Sequence, residues 1–171
     1  TLAVKATNSF EDSRDKVKDY INAKEREEII FTKGATESIN LVASSYGEKF
    51  IKNGDEIILT ELEHHSNYVP WHFLREKKGV KINFAPINEK GEVEIDEIKK
   101  LINSKTKIIA VTHISNVTGT IMPIKKIVDL AKEKNIPVLI DGTQGAPHLK
   151  IDMQEQGCDF YAKSCHKMYG P

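Results

Sequence analysis

Six short runs rich in β-branched and aliphatic residues, EIIF, DEIILT, VKINFAP, KIIAVT, PVLI and CDFYAKS, recur along the chain. Between them the apolar residues change spacing, from neighbours and alternates to positions about three or four apart, which is the mark of helices laid between strands. No other feature restricts the fold as strongly. Strands that are apolar throughout need cover on both faces, and parallel neighbours need a crossover that a helix supplies. The expected class is therefore α/β, a mostly parallel sheet with helices on both faces. A charged surface helix is expected over residues 8–26, with Phe10, Val17, Tyr20 and Ile21 on its apolar side. TKGATESINLVASSYG reads as a turn opening into a helix with Ile39, Val42, Ala43 and Tyr46 inward. ELEHHSNYVP reads as a loop before a helix carrying Trp71 and Leu74, and IDEIKKLINS and IKKIVDLAKEKN supply two more helices.

Length and charge narrow the partners. A chain of 171 residues holds one domain with a substantial core. Its 25 basic and 25 acidic side chains balance and are interspersed, so no net field draws it to nucleic acid or an anionic membrane. No apolar run approaches the ~18 residues of a membrane-spanning helix, and there is no signal-peptide pattern. With only Cys158 and Cys165 as thiols, a cytoplasmic location is expected. The chain opens on Thr1 with a helical pattern close behind, and reads as an internal segment of a longer protein.

In parallel sheets, ligands collect at the carboxyl ends of the strands. The polar loops at 32–37, 60–66, 112–118 and 141–145 each follow an expected strand and should meet on one edge. In the first, Gly34 and Thr36 are either an ordinary turn and cap or a phosphate site made of helix N-terminal amides and the Thr36 hydroxyl. The absence of a dinucleotide fingerprint or a Walker loop argues against a plain nucleotide-binding module. In the second, His64 and His65 lack the spacing of a zinc helix and no metal is expected; an imidazole there stacks on a flat ligand or lies on the surface. In the last, Asp141 ends a strand, either as a turn residue or as a carboxylate facing a protonated ring nitrogen. Beyond the final strand, SCHK brings Lys167 next to Ser164 and His166, where a lysine amine is either a solvated charge or a Schiff-base former. A phosphate cradle, a ring stacker, a ring-nitrogen carboxylate and a Schiff-base lysine together describe a pyridoxal 5'-phosphate site.

Four motifs in order, FTKGATESINLVA, ELEHHSNYVPW, THISNVTGTIMPI and VLIDGTQGAPHLKIDMQEQGCDFYAKSCHKMYGP, resemble the cofactor domain of class V aminotransferase-fold enzymes, which are PLP-dependent transferases of fold type I. More narrowly, they resemble group II (Suf-type) cysteine desulfurases. The resemblance implies that Lys167 forms the Schiff base and later moves protons on the substrate carbon, with His64 stacked on the ring as the second catalytic residue. It implies Asp141 against the pyridine nitrogen, Gln144 on the phenolic oxygen, and Asn116 near the phenolic oxygen and the substrate carboxylate. Thr36, Ser164 and His166 are implied as phosphate contacts. Ala35, grouped with them, stands where the family more often carries threonine, and Cys165 stands where it carries glycine. The first change loses a hydroxyl; the second adds a side chain where the backbone passes close to the cofactor.

The implied activity removes sulfur from L-cysteine, leaving L-alanine and an enzyme persulfide for iron–sulfur cluster or thiocofactor assembly. The implied form is a homodimer that serves a sulfur-acceptor protein of the Suf system. Residues 1–171 are expected to be the pyridoxal-phosphate-binding large domain, lacking the family's N-terminal segment and its C-terminal part, which carries the persulfide-forming cysteine and the substrate-binding arginine. Neither thiol of this chain fits that cysteine's motif, and Cys158 is expected in the core. Two other readings stay open: a selenocysteine lyase or another class V enzyme, and a cofactor-binding fragment without activity of its own.

Overall fold

Five of the apolar runs become strands: β1 (Glu56–Thr60), β2 (Lys81–Ala85), β3 (Thr106–Thr112), β4 (Val138–Asp141) and β5 (Phe160–Ala162). They form one sheet in the order β2-β1-β3-β4-β5, and every neighbouring pair is parallel. The computed structural model describes residues 1–170, so Pro171, the last residue of the closing motif, lies outside the described residues. The helices are α1 (Leu2–Tyr20), α2 (Ala35–Val42), α3 (Glu48–Phe50), α4 (His65–Lys78), α5 (Ile95–Leu101), α6 (Ile124–Lys132), α7 (Gly145–His148) and α8 (Met153–Gln156). A π-helical turn, Ala43–Gly47, joins α2 to α3. No helix among the described residues is long and apolar enough to cross a membrane.

Successive strand residues point to opposite faces, and the core divides accordingly. On one face Ile58, Ile109, Val111, Val138 and Ile140 pack with Ile98 of α5 and with Ile127, Val128 and Ala131 of α6. On the other, Ile57, Leu59, Ile108, Ala110 and Leu139 pack with Ile39 and Ala43, and with Trp71 and Leu74 of α4. Both faces are covered, as a parallel sheet requires.

The structure departs from expectation in four places. The first helix covers Leu2–Tyr20 rather than 8–26, and Asn22, at φ 51, turns the chain just beyond it. Asparagine tolerates the left-handed region better than most residues. EIIF is not a strand: Ile29 is buried, but Ile30 and Phe31 are exposed and no ladder holds them. A strand exists only with a neighbour, and this segment is held by α1 instead. The Arg14 guanidinium donates to the Ile29 carbonyl and lies 5.1 Å from the Phe31 ring centroid and 5.4 Å from that of Phe10. ELEHHSNYVP is shorter as a loop than expected, because α4 starts at His65 and takes Pro70 inside it. Cys158, finally, is half-buried at the margin of the core, where burial pushes its thiol up to about 11.

Candidate active site

The strand order reverses between β1 and β3, the position where a crevice opens at the carboxyl ends of a parallel sheet. A cavity of about 170 Å³ lies there. Every candidate site residue lines it: Ala35 and Thr36 from the start of α2, His64 from the start of α4, Asn116 from the loop after β3, Asp141 and Gln144 from the end of β4, and Ser164, His166 and Lys167 from beyond β5. Four expected loops therefore do converge, although the one at 32–37 does not follow a strand.

One end of the cavity is rich in donors. Gly34 has φ 152 and ψ 178, backbone that only glycine adopts freely, and a Cβ there would come 3.3 Å from Ser164 Oγ. This close approach lets the Ala35 N–H donate to Ser164 Oγ at 2.9 Å, tying the segment after β5 to the first turn of α2. Ala35 thus acts through its backbone, and its missing hydroxyl leaves this bond untouched. Thr36 Oγ1 and Ser66 Oγ share a hydrogen bond of 2.8 Å. The first turn of α2 also presents amides without intrahelical acceptors at the positive end of the helix dipole.

His64 is the N-cap of α4, and the Ser66 N–H donates to its Nδ1 at 3.1 Å. A nitrogen that accepts cannot carry a proton, so the neutral ring is protonated on Nε2. Ser66, to which the sequence gives no distinguishing sign, touches both Thr36 and His64, with its Oγ 3.1 Å from Nδ1.

Asp141 is buried at the end of β4, opposite Thr112 in the β3 register, and its Oδ1 accepts from the Thr143 N–H at 3.0 Å. The chain then crosses two rings at very short range. A Cβ on Gly142 would lie 2.1 Å from the Tyr161 ring, and one on Gly145 would lie 2.5 Å from His113 Nδ1. The rings are joined by a hydrogen bond of 3.0 Å between His113 Nδ1 and Tyr161 Oη. Burial lowers the His113 imidazole and raises the Tyr161 phenol, so both stay neutral near pH 7. Neither ring stands out in the sequence; the two glycines of DGTQG are the one available sign that something bulky lies beneath them.

Lys167 sits on a short 3-10 turn, Cys165–Lys167, all of whose residues are exposed. Cys165 does not line this cavity. It borders a larger neighbouring cleft of about 500 Å³, between the end of α1, residues 28–34 and β5. Among the described residues no group of three or more His, Cys, Asp or Glu side chains is arranged to hold a metal ion. The arrangement brings together a donor-rich helix start, a buried carboxylate and a primary amine around one small cavity.

A family model described as aminotransferase class-V matches residues 1–171. The chain is 50% identical over 171 residues to a cysteine desulfurase of Yersinia pseudotuberculosis, and 48% identical to a probable cysteine desulfurase of Halalkalibacterium halodurans. In both cases all of this chain is matched and 42% of the relative, so the chain spans about two fifths of the length of these curated relatives. Among solved structures it resembles the cysteine desulfurase CsdA from Escherichia coli with a TM-score of 0.93 at 38% identity, covering 99% of this chain and 42% of that one.

Proposed function

The chain belongs to the aminotransferase class-V family, and from that premise we propose that it is the pyridoxal 5'-phosphate-holding part of a cysteine desulfurase of the group II (Suf) type. The observation that carries this reading is the sharing of one cavity by Lys167, Asp141 and the hydroxyl-lined start of α2. The donor set fits the cofactor end by end. Its phosphate is answered by Thr36, Ser164 and His166 with the amides of the first turn of α2, beside Ala35. Its ring nitrogen would be answered by a buried carboxylate, Asp141, which would hold a proton there. His64 would offer its imidazole to the ring, and the amides of Gln144 and Asn116 would hold the cofactor's phenolic oxygen. When bound, pyridoxal phosphate supplies an electron sink for bonds broken at the α-carbon of an amino acid. Lys167 would hold the cofactor through its amine, and the same amine could move a proton at the α-carbon of a bound amino acid.

The name of the relatives, cysteine desulfurase, supports L-cysteine as the substrate. Release of L-alanine and passage of the sulfur as a persulfide to an acceptor protein of the Suf system complete the proposal. A homodimer in the cytoplasm is the form proposed for the whole enzyme, with residues 1–171 as part of its large domain. The test is the visible spectrum of the chain with pyridoxal phosphate, before and after borohydride. A band that borohydride bleaches and that Lys167→Ala lacks is the expected result. Identical behaviour of the chain and its Lys167→Ala variant would overturn the reading.

A further inference from the structure

Past the end of β1, a side chain continues the ladder that joins β1 to β3. The last backbone pair of these strands is Ile58 with Ile109, and further on the Thr112 N–H donates to Glu63 Oε1 at 3.0 Å. Thr60 Oγ1 donates to the same oxygen at 2.6 Å, and Asn67 Nδ2 donates to Glu63 Oε2 at 2.7 Å. Asn67 is itself oriented from the core, because the Nε1–H of the wholly buried Trp71 donates to its Oδ1 at 3.2 Å. An indole nitrogen can only donate, so Asn67 must turn its NH₂ toward Glu63, and Glu63 must offer lone pairs to three donors. The hydrogen bonds thus run one way, from the core to a carboxylate directly before His64. Thr112 in turn pairs with Asp141 across β3 and β4, so the same carboxylate bears on both His64 and the strand end that carries Asp141.

We infer that Glu63 is a positioning residue of the cofactor site, the anchor that sets His64 and the Thr112–Asp141 strand ends against the ring without itself lining the cavity. The inference rests on the cofactor reading above. Glu63 keeps some surface to solvent, but its carboxylate is enclosed by protein. Replacing one oxygen of a carboxylate that satisfies three donors by an NH₂ sets donor against donor, which commonly costs enough to change an equilibrium about tenfold or more.

The test compares Glu63→Gln, the double variant Glu63→Gln with Asn67→Asp, and Val128→Ala as a stability control in α6. The single variant sets an NH₂ against Asn67 Nδ2, so two donors face each other, and a side chain that turns or shifts away from this clash no longer holds its oxygen against the Thr112 N–H. Adding Asn67→Asp restores an acceptor there and keeps one for Trp71. The readouts are the Kd and absorbance maximum of bound pyridoxal phosphate, and hydrogen exchange at the Thr112 amide without cofactor. Glu63→Gln is expected to raise the Kd and the Thr112 exchange rate about tenfold each and to shift the absorbance maximum. The double variant is expected to return both quantities to within about threefold of the unmodified chain. Val128→Ala is expected to lower stability while leaving all three readouts in place. Faster Thr112 exchange with an unchanged Kd and spectrum would make Glu63 structural only and overturn the inference, as would no response at Thr112. An unmodified chain that forms no Lys167-dependent adduct would remove the cofactor reading and this inference together. The exchange data, which need no cofactor, would then still report whether the anchor exists.

Discussion

The two sides of the cavity are held by different means. On the side of β1, β3 and β4, Asp141 is buried, its loop rests on the His113–Tyr161 ring pair, and Glu63 closes a set of matched donors. On the far side, Cys165, His166 and Lys167 are exposed on a short turn beside the larger cleft, tied to the start of α2 by the bond from the Ala35 amide to Ser164 and followed by Met168, which packs against a small apolar cluster. The groups that would recognise a ring are thus fixed to strand ends, while the amine that would react is carried on a thinly supported turn. Recognition gains from rigidity, because a bound geometry held in advance costs little to form. An amine that must first hold a cofactor and then move protons has to change partners, and a thinly packed turn allows it.

The sharpest way to break this contrast is Gly142→Ala. Its Cβ would sit 2.1 Å from a Tyr161 ring pinned by His113, so a loss on the order of 3 kcal/mol or more is expected, with Tm down by about 10 °C. Near-normal melting would mean that the rings give way and that the strand-end side is not rigid. A smaller effect sharpens the same comparison through pH. Burial raises the Glu63 carboxyl from its ordinary 4.5 to about 7, with the charge of Asp141 adding to the rise and the three donors opposing it. The folded chain therefore holds that proton more tightly than the unfolded chain does. The resulting stability is fully present below about 4.5 and is lost as pH rises through about 7. Over that interval the chain should lose up to about 3 kcal/mol that Glu63→Gln does not lose, measured as the difference between their denaturant midpoints. The difference matters because His113, lowered by burial, contributes in the opposite direction, losing stability as pH falls. The smallest effect belongs to the turn: Cys165→Gly should change stability by no more than about 0.5 kcal/mol in a denaturant titration. A large change there would show the turn to be as tightly built as the strand ends.

What could be read from the sequence follows the same division. Thr36, Asp141 and Lys167 are legible because each stands at an element's end beside an apolar run, where parallel sheets gather ligands. Gln144 and Asn116 carry no such sign and come only with the family resemblance. Glu63, His113 and Tyr161 are not legible, because their roles lie in partners far along the chain: Glu63 and Thr112 are 49 residues apart, His113 and Tyr161 48. EIIF misleads for a related reason. Its composition is that of a strand, but pairing is a property of two segments, and β5 has β4 as its one ladder partner among the described residues.

The N-cap at His64 has a consequence for how this site should be dissected. One lone pair, on Nδ1, both starts α4 and fixes which ring nitrogen faces outward. An alanine at this position would remove the ring and uncap the helix together, so its phenotype would mix two losses that have nothing chemical in common. Asparagine, a strong N-cap that lacks an aromatic face, separates them. At this residue the substitution that resembles histidine least in shape is a cleaner probe of the ring than simple truncation.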